Sequence, residues 1–327
     1  MRPPPLPVFL IFASVMAAAP AAVAQSMTYV RDAASVLAAG AVTVDTRALE
    51  ACAAKSIAGA RCLPADAFLG PHRRLANFRE ILWLLGAAGL DGDEHVLVAG
   101  DAPEARDFVA GVLYLAGHKR VSILSRSLSQ GAGLPADALG PGQERAMTRE
   151  KVFQAPLRDH LIVLRGELVG LIGDGSPGLL DGRSEKEYWG ATVRGLRGGH
   201  IPGAQHLPAV TLRAGLAVGN ALVPPIPDPI SHGHDPVEGI AYFTLLTAGA
   251  GVAARVYIGG WAEWAAHTAL PADSVTYPDH SPGKQAAPTA ATRAARASHA
   301  WPWLAAAALI GAAVTAGAFY LGRRSAS

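Results

Sequence analysis

The sequence predicts an α/β protein: two domains, each a parallel sheet flanked by helices, followed by one C-terminal transmembrane helix. Three observations lead there. Short apolar runs alternate with helix-compatible stretches and meet them at glycines. That pattern occurs twice, once around Asp45-Thr46-Arg47 and again around Asp181-Gly182-Arg183. A terminal stretch, residues 301–321, carries no charge at all.

The first segment, 1–24, opens with Arg2, runs apolar from Leu6 to Ala19 and ends in Ala22-Val23-Ala24 before Gln25. This is the layout of a cleaved secretory signal peptide, with an uncleaved anchor as the alternative. The first domain is expected over 25–145. Its first strand signal is Ala41-Val42-Thr43-Val44, closing on Asp45-Thr46-Arg47; a helix-compatible stretch from Ala48 to Ala54 follows, then Ile57-Ala58-Gly59-Ala60. The second domain is expected over 146–278. It repeats the order with Leu179-Leu180, Asp181-Gly182-Arg183, a helix from Glu185 and then Gly199-His200-Ile201-Pro202-Gly203-Ala204. Arg120-Val121-Ser122-Ile123-Leu124 in the first copy answers Arg255-Val256-Tyr257-Ile258-Gly259 in the second. Both Asp-x-Arg corners fall at a strand's carboxyl end, where α/β folds place their sites. A structural ion pair pinning the turn is an equal reading.

Residues 279–300 are rich in Pro, Ala, Ser and Thr without apolar periodicity, which is linker composition. The 21 residues from Trp301 to Leu321 then span ~31 Å as a helix, matching a hydrocarbon core of ~30 Å. Trp301, Trp303 and Tyr320 sit near its ends. The tail 322–327 carries Arg323 and Arg324. Export by the signal peptide places the body in the periplasm of a bacterial cell, tethered to the inner membrane, with the C-terminus cytoplasmic.

Second-copy blocks Asp181-Gly182-Arg183-Ser184-Glu185-Lys186-Glu187-Tyr188, Gly199 to Ala204, and Tyr257-Ile258-Gly259-Gly260-Trp261 closely resemble the second domain of tandem rhodaneses, the thiosulfate sulfurtransferases. Copy one resembles their first domain more weakly. The resemblance implies two rhodanese-like domains and a sulfurtransferase mechanism. In that mechanism a cysteine thiolate on the loop after a central strand, stabilised by loop amides and a helix N-terminus, accepts sulfane sulfur. Asp181, Arg183, His200 and Trp261 are the family-motif positions.

The nucleophile is missing. The remnant loop reads Ser231-His232-Gly233-His234-Asp235, and the cysteine position falls at His232 counted from the following helix or at His234 counted from the strand. Prolines at 224, 225, 227 and 229 shorten the strand to about Ile230–Gly233. In copy one the strand is His95–Ala99 and the loop Gly100-Asp101-Ala102-Pro103-Glu104, again without cysteine.

The chain's two cysteines, Cys52 and Cys62, lie elsewhere. Three readings stand: two separate semi-buried apolar positions, a disulfide permitted by export, or displaced sulfur carriers. His232, His234 and Asp235 also raise a Zn²⁺ or Cu²⁺ site, with His200 as a third imidazole; a solvated polar loop is the bland alternative. No other cofactor is expected.

Charge narrows the partners. Six of the 28 basic residues lie in the two ends, leaving 22 against 26 acidic residues in the body, so nothing draws it to nucleic acid. The expected function is an exported, membrane-tethered binding or assembly module without sulfur transfer, its partner a protein or sulfur compound at the membrane. Sulfur transfer through Cys62 or Cys52 and metal binding through His232 and His234 are the alternatives.

Overall fold

The computed structural model describes residues 27–273, apart from 176, 221, 223 and 225. The signal segment 1–24, the linker 279–300, the apolar segment 301–321 and the tail lie outside the described residues. Among the described residues, no helix is long and apolar enough to cross a membrane.

The first half runs β1 (Met27–Val30), α1 (Ala33–Ala38), β2 (Val42–Asp45), α2 (Leu49–Ala54), β3 (Ser56–Ile57), β4 (Arg61–Cys62), α3 (Phe78–Ala87), β5 (His95–Ala99), α4 (Pro103–Ala116) and β6 (Arg120–Leu124). Five of these strands form one parallel sheet in the order β1-β6-β5-β2-β4. Val96 to Ala99 are all buried, as a continuous apolar run in the middle of a sheet covered on both faces must be. The short strand β7 (Leu139–Gly140) pairs antiparallel with β3. The chain then runs back over the first half, where Lys151 bridges Asp91 and Glu94.

The second half runs β8 (Ile162–Val163), α5 (Arg165–Asp174), β9 (Leu179–Asp181), α6 (Glu185–Tyr188), β10 (Gln205–His206), α7 (Ala209–Ala217), β11 (Ile230–His232), α8 (Pro236–Thr244), β12 (Arg255–Tyr257) and α9 (Gly260–Ala266). Its sheet, again parallel, has the order β8-β12-β11-β9-β10. Each sheet thus sets its first strand beside its last and its second beside its fourth. The strand expected to end at Gly233 ends at His232. The following helix starts at Pro236, because Asp235 caps it and proline suits a first helical position, and it passes into a π-helical turn at Leu245–Gly249.

The halves meet where α4 crosses α8. At Gly111 a Cβ would lie 2.5 Å from both Ile240 Cγ2 and Thr244 Oγ1, so only glycine lets the helices approach this closely. Thr244 Oγ1 donates to the Asp107 carbonyl at 2.8 Å. Phe108 and Val112 of α4 join Ile240 and Phe243 of α8 in one buried apolar cluster that reaches both sheets. Each such side chain contributes ~1.5–3 kcal/mol.

Candidate functional site

The second-half site is built on two neighbouring strand ends. At the end of β9, the Asp181 carboxylate is fully buried and held by the Arg183 fork, Nε to Oδ1 at 3.0 Å and Nη2 to Oδ2 at 2.5 Å. Arg183 also donates to the Gly199 carbonyl at 2.9 Å and stacks over the Trp261 ring at 4.8 Å. Burial pushes the Asp181 carboxyl up, but His232 and Arg183 outweigh it and hold the group below the usual carboxylate range. The Asp-x-Arg corner is therefore a buried strut that ties β9 to the Gly199 turn.

His232, the last residue of β11, is completely buried. Its Nε2 lies 3.7 Å from Asp181 Oδ2, without a hydrogen-bond partner, and burial pulls its pKa below the ordinary imidazole value. Ser231 donates its hydroxyl to the Arg255 carbonyl at 2.9 Å and so ties β11 to β12. Gly233 leaves no room for a side chain, since a Cβ would lie 2.6 Å from Glu238 Cβ.

Three amides at the start of α8 are already engaged. The His234 amide donates to Glu238 Oε2 at 3.0 Å. The Val237 and Glu238 amides donate to Asp235 Oδ1 at 2.9 and 3.1 Å. Glu238 is in turn forked by Arg194, which also grips Glu187. A pocket of about 260 Å³ remains above, walled by Arg183, Arg194, Glu104, Glu187, Glu238 and Tyr242 among others. Its acidic and basic side chains largely satisfy one another. Arg194 and Glu238 gave no signal in the sequence, because they lie 44 residues apart and Arg194 sits in an aperiodic, glycine-rich stretch.

The histidines do not act together. His200 stacks on Tyr188 with ring centroids 3.8 Å apart, and its Nδ1 faces the Tyr188 carbonyl. Asp235, the expected carboxylate ligand, is the cap of α8. Among the described residues, no group of three His, Cys, Asp or Glu side chains is arranged to hold a metal ion.

The first half presents the matching corner with different surroundings. Arg47 forks Asp45, with Nη2 to Oδ2 at 2.7 Å, and reaches the Lys55 carbonyl; Ser56 adds a hydrogen bond to the same carboxylate. Asp101, on the loop after β5, accepts from the Ser127 hydroxyl and the Ser129 amide. Cys52 and Cys62 are not two separate apolar positions: they form a disulfide joining α2 to β4, with Cα atoms 5.7 Å apart and both residues buried. The parallel pairing of β4 with β2 carries Cys62 back beneath α2, so neither cysteine is a free thiol.

These loops and sheets have recognisable counterparts. Residues 164–267 match the family described as Rhodanese-like domain. The second half is rhodanese-like. Among solved structures, the Tum1 protein from Saccharomyces cerevisiae superimposes with a TM-score of 0.62 at 19% identity, covering 76% of this chain and 98% of that one. A complex of EanB with ergothioneine gives 0.57 at 17% identity, covering 77% of this chain and 65% of that one. YnjE gives 0.57 at 18% identity, covering 79% and 65%. No curated protein matches in sequence. At these identities the likeness is one of fold, and it extends over both halves.

Proposed function

We propose that the chain is a tandem of two rhodanese-like domains, exported and held at the membrane, which binds a protein or sulfur compound and does not transfer sulfur. One observation carries this reading. The loop amides that would stabilise a thiolate at the start of α8 already donate to Asp235 and Glu238, in a loop that has no cysteine. A thiolate placed there would meet two carboxylates, with the His234, Val237 and Glu238 amides already engaged. The buried disulfide supports export, since such bonds persist in oxidising compartments. It also weighs against Cys52 or Cys62 as sulfur carriers, because both sulfurs are already bonded.

The test is a thiosulfate:cyanide assay on the full-length chain in detergent. The reading predicts no turnover, with or without reductant. Turnover that disappears in Cys52→Ser or Cys62→Ser would overturn it. Export is tested separately: protease added to intact spheroplasts should digest the body and leave a fragment near residues 300–327.

A further inference from the structure

A second cleft lies between the halves and shares Arg213 and Leu245 with the loop pocket. It has a volume of about 540 Å³ and is lined by ten residues, four of them arginines: Arg31, Arg106, Arg126 and Arg213. No carboxylate lines it. Among the described residues, the only acid paired with any of the four is Asp107, which is fully buried and bound by Arg213 at 2.5 Å.

Arg106 is fixed before any ligand arrives. It is 4% exposed, and its Nη1 donates to the Gly100 and Arg126 carbonyls at 3.0 and 3.3 Å. Its Nε–H is buried without an acceptor. A buried donor left unpaired costs ~1–3 kcal/mol, so such a group marks a place where an acceptor belongs. The side chains of Arg31 and Arg126 have no partner among the described residues. Arg31 and Arg126 add two positive charges to a concave surface already lined by Arg106 and Arg213, with Asp107 behind the wall to balance them.

We infer that this cleft binds a small oxyanion group, held by the arginine forks of both halves. Planar guanidinium groups suit the paired oxygens of a sulfur or phosphorus oxyanion. Leu216, Ala217 and Leu245 line the same cleft and would seat a short apolar body attached to that group. The site adjoins the loop pocket, sharing Arg213 and Leu245 with it, but lacks that pocket's Glu104, Glu187 and Glu238, and it holds whether or not the protein transfers sulfur.

Calorimetric titration of the full-length chain in neutral detergent with thiosulfate, sulfate and phosphate, at ionic strength held constant with sodium chloride, tests this. One saturable site is expected for at least one anion. Arg31→Gln and Arg126→Gln remove side chains with no other partner and should each weaken it ~tenfold, the loss of one charged hydrogen bond. The double variant should abolish it, and Arg194→Gln in the neighbouring pocket should leave it unchanged. Tighter binding of thiosulfate than of phosphate would support the site with a sulfur compound as its source, and the reverse order would support it with a phosphate. No saturable binding by any of the three overturns the inference. So does binding that survives in the folded double variant, or that is lost in Arg194→Gln.

Discussion

Both halves end their second strand in an aspartate that grips an arginine two residues on, and both arginines reach a carbonyl beyond it, Lys55 in the first half and Gly199 in the second. What covers the pair differs. The Arg183 side chain is 1% exposed under Trp261, and His232 lies against its aspartate; the Arg47 side chain is 15% exposed and looks out toward Asp101 at 3.9 Å. The neighbouring loops differ in the same sense. Asp101 is tied outward to Ser127 and Ser129, whereas Asp235 and Glu238 fold inward and occupy the loop's own amides. One local motif thus supports two environments. The corner tells the fold, and the carboxylates next to it decide what chemistry is left.

The sharpest way to break that comparison is to remove the two aspartates in turn. Asp181→Ala should destabilise the protein by ~3–5 kcal/mol, since it strands a buried guanidinium. Asp45→Ala should cost less, ~1–2 kcal/mol, because water reaches Arg47. Denaturant unfolding measures both, and equal losses would show that the corners are equivalent after all.

Acid should weaken the fold at several buried groups. Burial pulls His118 in the first half down from 6.5 to about 4, and it also lowers His232 in the second. The unfolded chain therefore takes up these protons first. The stability they lend is full above pH ~6.5 and is lost as pH falls toward the folded-state values, by ~3 kcal/mol for His118. His118→Gln should flatten the unfolding profile in that window; an unchanged profile would mean the ring is not protected from protonation.

The disulfide closes a sequence separation of ten residues, and opening it should cost ~2–3 kcal/mol. Hydrogen exchange should show the loss around residues 42–62 in Cys52→Ser, with protection over 179–206 retained. Loss in both halves would mean that the two sheets unfold as one unit. The smallest effect belongs to Arg194→Ala, ~0.5 kcal/mol, because its ion pairs are partly exposed.

Much of this architecture was legible in the sequence, for local reasons. Val96 to Ala99 of β5 are a continuous apolar run, and the Asp-x-Arg corners carry both partners within three residues. The disulfide was one of three open readings. It depends on β4 returning beside β2, a pairing that no pattern around Cys52 or Cys62 reveals. Arg194 with Glu238, and Arg213 with Asp107, are assembled from distant segments; periodicity and spacing are blind to such pairs until the sheets are stacked.

The central claim is that three amides of the second loop are occupied by its own carboxylates, which leaves a thiolate there poorly stabilised. The direct measurement compares His234→Cys alone with the same change combined with Asp235→Ala and Glu238→Ala, reading the thiol's titration and the gain of one sulfur atom by mass after thiosulfate treatment. The account predicts that the single variant titrates at or above an ordinary thiol, ~8.5, and gains no sulfur, while the triple variant shows a depressed pKa. A single variant that forms a stable persulfide would contradict it.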